Sequence, residues 1–66
     1  MIVPLSDREL ACLEGLARGL SYQEIGAEIY LSPWTVKIYM KTLFRKLGAR
    51  SGSHAVALGY QKQLLT

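Results

Sequence analysis

A single cysteine, Cys12, leaves this 66-residue chain unable to form an intramolecular disulfide. That fits a reducing compartment. There is one histidine, His54, and no Asp/Glu cluster at ligand spacing, so no metal site and no cofactor are expected. Glycine-rich phosphate loops and nucleophile elbows are missing as well. A chain of this length buries only about 60% of its unfolded surface, which leaves little room for a closed pocket. These absences argue against an enzyme. No apolar run approaches the length of a membrane span. The start, Met1-Ile2-Val3-Pro4-Leu5, has no basic n-region of a signal peptide. The expectation is one cytoplasmic domain covering residues 1–66, with no membrane partner.

The most telling absence is acid between residues 33 and 50. That stretch holds Lys37, Lys41, Arg45, Lys46 and Arg50, a charge of +5, whereas residues 1–32 sum to −3. Such asymmetry is the footprint of a polyanion binder, although a solvated basic helix face gives the same count. Ser32 suits an N-cap, Pro33 the first helical position and Gly48 the residue past the end, so the stretch reads as a helix over about 33–47. Val36, Tyr39, Met40, Leu43 and Leu47 make its apolar stripe. Trp34, Lys37, Ile38, Lys41 and Arg45 lie on the other side.

The remaining segments also read as helices, giving an all-α, four-helix bundle-like domain. Ser6-Asp7-Arg8-Glu9 and Ser21-Tyr22-Gln23-Glu24 are capping boxes that open helices over about 7–18 and 22–30. Leu10, Leu13, Leu16, Ala17 and Leu20 form a core stripe on the first, with Cys12 beside it as a half-buried structural thiol. Gly26, inside the second, suggests close approach of another helix. Leu31 points inward in the short turn, and the second and third helices make a helix-turn-helix. Ser51 or Ser53 caps a fourth helix over about 52–63, beyond which Leu65-Thr66 frays. His54, in its first turn, reads as a surface or partly packed side chain.

For nucleic acid, each part of the third helix has a physical use. Lys37 and Lys41, one turn apart, can donate to guanine O6/N7 or to phosphate, and Ile38 between them can pack on a thymine methyl. Trp34 and Thr35 sit where an indole N–H, a hydroxyl and free backbone N–H groups can grip a phosphate, although Trp34 could also anchor the core. Arg45 and Lys46 would reach the flanking backbone. Ser21, at the start of the second helix, is a further phosphate clamp.

The run Leu5-Ser6-Xaa-Arg8-Glu9, then Leu16-Ala17-Xaa-Gly19-Leu20-Ser21-Xaa-Xaa-Glu24-Ile25, Leu31-Ser32-Xaa-Xaa-Thr35-Val36-Lys37, Arg45-Lys46-Leu47-Gly48 and Ala55-Val56 resembles the LuxR/GerE-type helix-turn-helix domain. The resemblance implies a transcription regulator that binds double-stranded DNA with its third helix in the major groove. It implies base-facing Lys37, Ile38 and Lys41, backbone-facing Ser32, Trp34, Thr35, Tyr39 and Arg45, and a homodimer through Val56 and Tyr60 of the fourth helix on an inverted repeat. It also implies an effector module, either one part of a larger regulator or a small protein in its own right. The chain departs from the family pattern at Trp34, often basic or polar, at Tyr39, often histidine, at Gly26, usually alanine, and at Gly52, usually an arginine that opens the fourth helix. The aromatic departures support an alternative. In it the Trp34/Ile38/Tyr39 surface docks a transcription-machinery partner such as an RNA polymerase subunit.

Overall fold

Four serines open four helices. The computed structural model describes residues 4–66, so the reading of Met1–Val3 as no signal sequence lies outside the described residues. The helices are α1 (Asp7–Ala17), α2 (Tyr22–Ile29), α3 (Pro33–Leu47) and α4 (Gly52–Gln61). Ser6 Oγ accepts from Glu9 N at 3.2 Å while Glu9 Oε1 accepts from Ser6 N at 2.9 Å. Ser21 and Glu24 repeat the exchange at 3.1 and 2.9 Å. Both expected capping boxes form, each satisfying two backbone donors that a helix start otherwise leaves open. Ser32 accepts from Thr35 N, and Ser51, not Ser53, accepts from His54 N. The ends of α1, α2 and α4 fall one, one and two residues short of the expected bounds. Arg18, Tyr30 and Lys62 close them as C-caps.

The turn between α2 and α3 is tight. Tyr30 adopts the left-handed conformation, φ 61° and ψ 39°, and Leu31 N–H returns to Gly26 O at 2.9 Å. A Cβ on Gly26 would stand 2.2 Å from the Leu31 carbonyl oxygen and 3.4 Å from Val36 Cγ2. The close approach expected at Gly26 is therefore chiefly that of the turn's own backbone, with α3 second. Leu31 packs on the core, as its position in the turn suggested.

The core joins Cys12 and Leu13 of α1, Ile25 of α2, Val36, Met40, Leu43 and Leu47 of α3, Ala55 of α4, and Leu65. Three readings of the sequence change here. Cys12 is fully buried, not half-buried, because α1 packs against all three other helices and buries more than one stripe. Leu10, Leu16 and Leu20 are only half-buried. The C-terminus does not fray at Leu65. Gln63 turns left-handed, Leu64 and Leu65 N–H both return to Gly59 O, and a Cβ on Gly59 would meet Leu65 Cδ1 at 2.9 Å. Leu65 thus closes the core where Gly59 leaves room for it.

Candidate nucleic-acid interface

The core residues of α3 recur at three and four positions, so the opposite stripe is set by the same helical period. Trp34, Lys37, Ile38, Lys41 and Arg45 occupy it, and all five are exposed. Trp34 is 71% exposed, so the alternative that it anchors the core falls away, and Ile38 is 45% exposed. Lys37, Lys41 and Arg45 have no acid within α3 and make no ion pair among the described residues.

The start of α3 is more fully satisfied than expected. Pro33 has no N–H, and Thr35 N–H and Val36 N–H both bond Ser32. A phosphate there would meet few free backbone donors. It would still meet a hydroxyl: Ser32 Oγ and Thr35 Oγ1 share one hydrogen bond at 2.9 Å, which leaves one hydroxyl proton free to donate. The start of α2 offers less. Its positive end already faces the Glu24 carboxylate, bonded to Ser21 N, so Ser21 sits beside a negative charge that repels phosphate. The backbone N–H at Ser21 and its hydroxyl together hold the Glu24 carboxyl below its usual range.

Lys46 also has another role. Its Nζ donates to Glu9 Oε1 at 2.8 Å and to Pro4 O at 3.3 Å. Glu9 is 3% exposed. Burial pushes its carboxyl up, but the Lys46 ammonium and the Ser6 backbone and hydroxyl together pull it lower than an ordinary glutamate. Lys46 is thus a tie between α3 and the first turn of α1, not the free cation that counting charges makes it. Sequence reasoning placed Glu9 only as a cap and a complement to the helix dipole.

Tyr39 is half-buried against the core, and its hydroxyl accepts from Arg8 Nη1 at 3.1 Å. This contact brings an exposed guanidinium from α1 to the side of α3. The sequence did not bring Arg8 to the side of α3, because it lies 31 positions from Tyr39. Arg18 is not part of this face, since it pairs with Glu28 between α1 and α2.

In α4, Val56 is half-buried and Tyr60 is 52% exposed, one turn apart on one face. A Cβ added at Gly52 would stand at ordinary contact distance from Leu16. The turn into α4 is held instead by His54, whose Nδ1 accepts from Arg50 N at 3.0 Å. Two surface hollows, of about 380 and 530 Å³, are lined by α1, α2, α4 and the segments flanking them, and neither touches α3.

The profile of the bacterial regulatory proteins of the luxR family matches residues 3–58. The chain belongs to that family. It is a helix-turn-helix, DNA-binding domain of a transcription regulator and not an enzyme. Similar proteins include the nitrate/nitrite response regulator protein NarP of Escherichia coli K12, 41% identical over 59 residues, covering 89% of this chain and 27% of NarP. The nitrate/nitrite response regulator protein homolog of Haemophilus influenzae is 38% identical over 58 residues, covering 88% of the chain and 28% of the relative. The probable transcriptional regulatory protein NarL of Mycobacterium tuberculosis is 41% identical over 61 residues, with 92% and 28% covered. The chain spans under a third of the length of these relatives. No helix among the described residues is long and apolar enough to cross a membrane.

Proposed function

We propose that this LuxR-family domain reads a specific sequence in double-stranded DNA by laying α3 in the major groove. The observation that carries the reading is the exposed outer stripe of α3, with three free cations and no acid. Lys37, Ile38 and Lys41 face base edges, and Arg45 and the Ser32/Thr35 hydroxyl pair face phosphates. Tyr39 acts with Arg8, positioned beside it, as a second backbone contact. Lys46 and Ser21 leave the set, because one neutralises Glu9 and the other is shadowed by Glu24. A cytoplasmic regulator acting as a homodimer on an inverted repeat completes the proposal, with Val56 and Tyr60 presented by α4 to the second copy.

The test is a binding titration on DNA selected from a random pool. Lys37→Ala and Lys41→Ala are each expected to cost about 1–3 kcal/mol and relax preference at one position. Arg45→Ala and Arg8→Ala are each expected to weaken all sequences and reduce the salt slope by about 0.9. If neither lysine variant loses affinity, the assignment of the recognition helix is wrong. Sedimentation of the complex at one protein per site would sink the dimer. The alternative, docking of a transcription-machinery partner, draws on Trp34 and Ile38 alone. Tyr39 is half-buried and bonded to Arg8, and the surrounding cations favour DNA.

A further inference from the structure

We infer that Trp34 extends the base-reading face by one turn, and that with Ile38 it forms an apolar strip that reads thymine 5-methyl groups. The inference rests on the proposal that α3 enters the major groove. Trp34 and Ile38 stand four residues apart on the outer stripe, about 6 Å along the helix axis. Adjacent base pairs are about 3.4 Å apart, so the two side chains address bases about two steps apart. Lys37 and Lys41 lie on the same stripe at the same spacing, so the two apolar and two basic side chains alternate along it.

The major groove offers one apolar group to such a strip, the thymine methyl. A phosphate contact would use the single indole N–H of Trp34 and leave the rest of its ring in water. At 71% exposure the ring has little else to cover it within the domain. Lysine on either side selects a polyanion over an apolar protein groove, and the absence of acid from α3 agrees. The ligand is therefore a DNA site in which thymines accompany the purine acceptors read by Lys37 and Lys41.

The experiment selects the preferred duplex with the 66-residue chain, then replaces its thymines one at a time by deoxyuridine, which lacks only the methyl. Two replacements, about two steps apart, are expected to reduce affinity about fourfold each, which is about 0.8 kcal/mol at 1.4 kcal/mol per tenfold. Trp34→Ala abolishes the effect at one of these positions and Ile38→Ala at the other, while Trp34→Phe retains part of it. Both side chains are exposed, so the variants keep the helical signal and melting temperature that control for folding. The inference is overturned if Trp34→Ala weakens thymine and deoxyuridine probes by the same factor, or if no thymine is selected opposite the strip. Selective binding that ignores deoxyuridine refutes the methyl contact alone. A chain that enriches no sequence refutes the nucleic-acid reading beneath it.

Discussion

Lys46→Met separates structural from electrostatic use of a cation. In the protein, the Glu9 carboxylate receives one bond from Ser6 N–H and one from Lys46 Nζ, with its side chain 4% exposed. Removing the ammonium leaves a buried carboxylate with a single hydrogen-bond partner. Breaking a fully buried pair costs about 3–5 kcal/mol. Here the Lys46 side chain is 35% exposed, so water reaches one edge of the pair and the loss is smaller. A charge-assisted hydrogen bond is worth about 1.5–3 kcal/mol. We expect about 2 kcal/mol, out of a total of about 3–10 kcal/mol for a chain of this size. At about 4–8 °C per kcal/mol, Tm falls by about 8–16 °C. The Glu9→Gln/Lys46→Met double variant should recover part of this, because no unpaired charge remains. Circular dichroism melts at pH 7 measure both effects. The carboxyl of Glu9 is lower in the folded state, so the stabilisation is present above the unfolded value of about 4.3 and is lost as pH falls through the folded one. The gap between wild type and Lys46→Met therefore closes on acidification. Salt titration of DNA binding supplies the opposing readout: the slope should stay that of the wild type. A variant that melts within 2 °C of wild type, roughly half the shift expected for 1 kcal/mol, and loses about 0.9 from the salt slope would refute the tie and return Lys46 to the phosphate contacts.

Tyr30→Gly should raise Tm, because Tyr30 is 93% exposed and left-handed, so the substitution relieves backbone strain and sacrifices little packing. The gain is about 0.5–1 kcal/mol after the greater unfolded freedom of glycine is deducted, read from thermal melts. Glu24→Gln should make acid unfolding shallower. The Glu24 carboxyl is lowered by its Ser21 bonds, so its contribution exists above about pH 4.3 and vanishes as pH falls through the folded value; Tm measured from pH 2 to 6 reports it. Cys12 should resist aromatic disulfide reagents until the domain opens, because burial pushes its thiol up and the Glu9 charge adds to the effect. Its labelling rate should rise with denaturant in step with global unfolding.

The parts of this fold that were legible in the sequence are those written within one helical turn. Ser6 with Glu9, Ser21 with Glu24 and Ser32 with Pro33 each place a donor and acceptor three residues apart or fix a dihedral, so local chemistry decides them. The outer stripe of α3 was legible for a related reason: once the apolar residues fix the inner face, the period fixes the outer one. What escaped were contacts that only the packing creates. Cys12 lies beside the leucine stripe by period, yet three neighbouring helices bury it completely. Leu65 follows a left-handed Gln63 that no helical pattern announces, and the room for it comes from Gly59. The partners of Lys46 and Arg8 escaped as well. A charge count treats both as equals, whereas one is spent on Glu9 and the other donates to the Tyr39 hydroxyl.

Those two contacts share a geometry. Arg8 and Glu9 are neighbours in the first turn of α1, and they bond Tyr39 and Lys46, seven residues and about two turns apart on α3. Apolar packing along Val36, Met40, Leu43 and Leu47 sets both the distance between the helices and the face that α3 turns inward. Two bonds from one turn, spaced along α3, add directional ties to that packing. The acid-rich N-terminal half is therefore not merely the counterweight to a basic helix. Its first turn ties down α3, through a buried carboxylate at one point and an exposed guanidinium at the other, and the tie should survive loss of either contact better than loss of both.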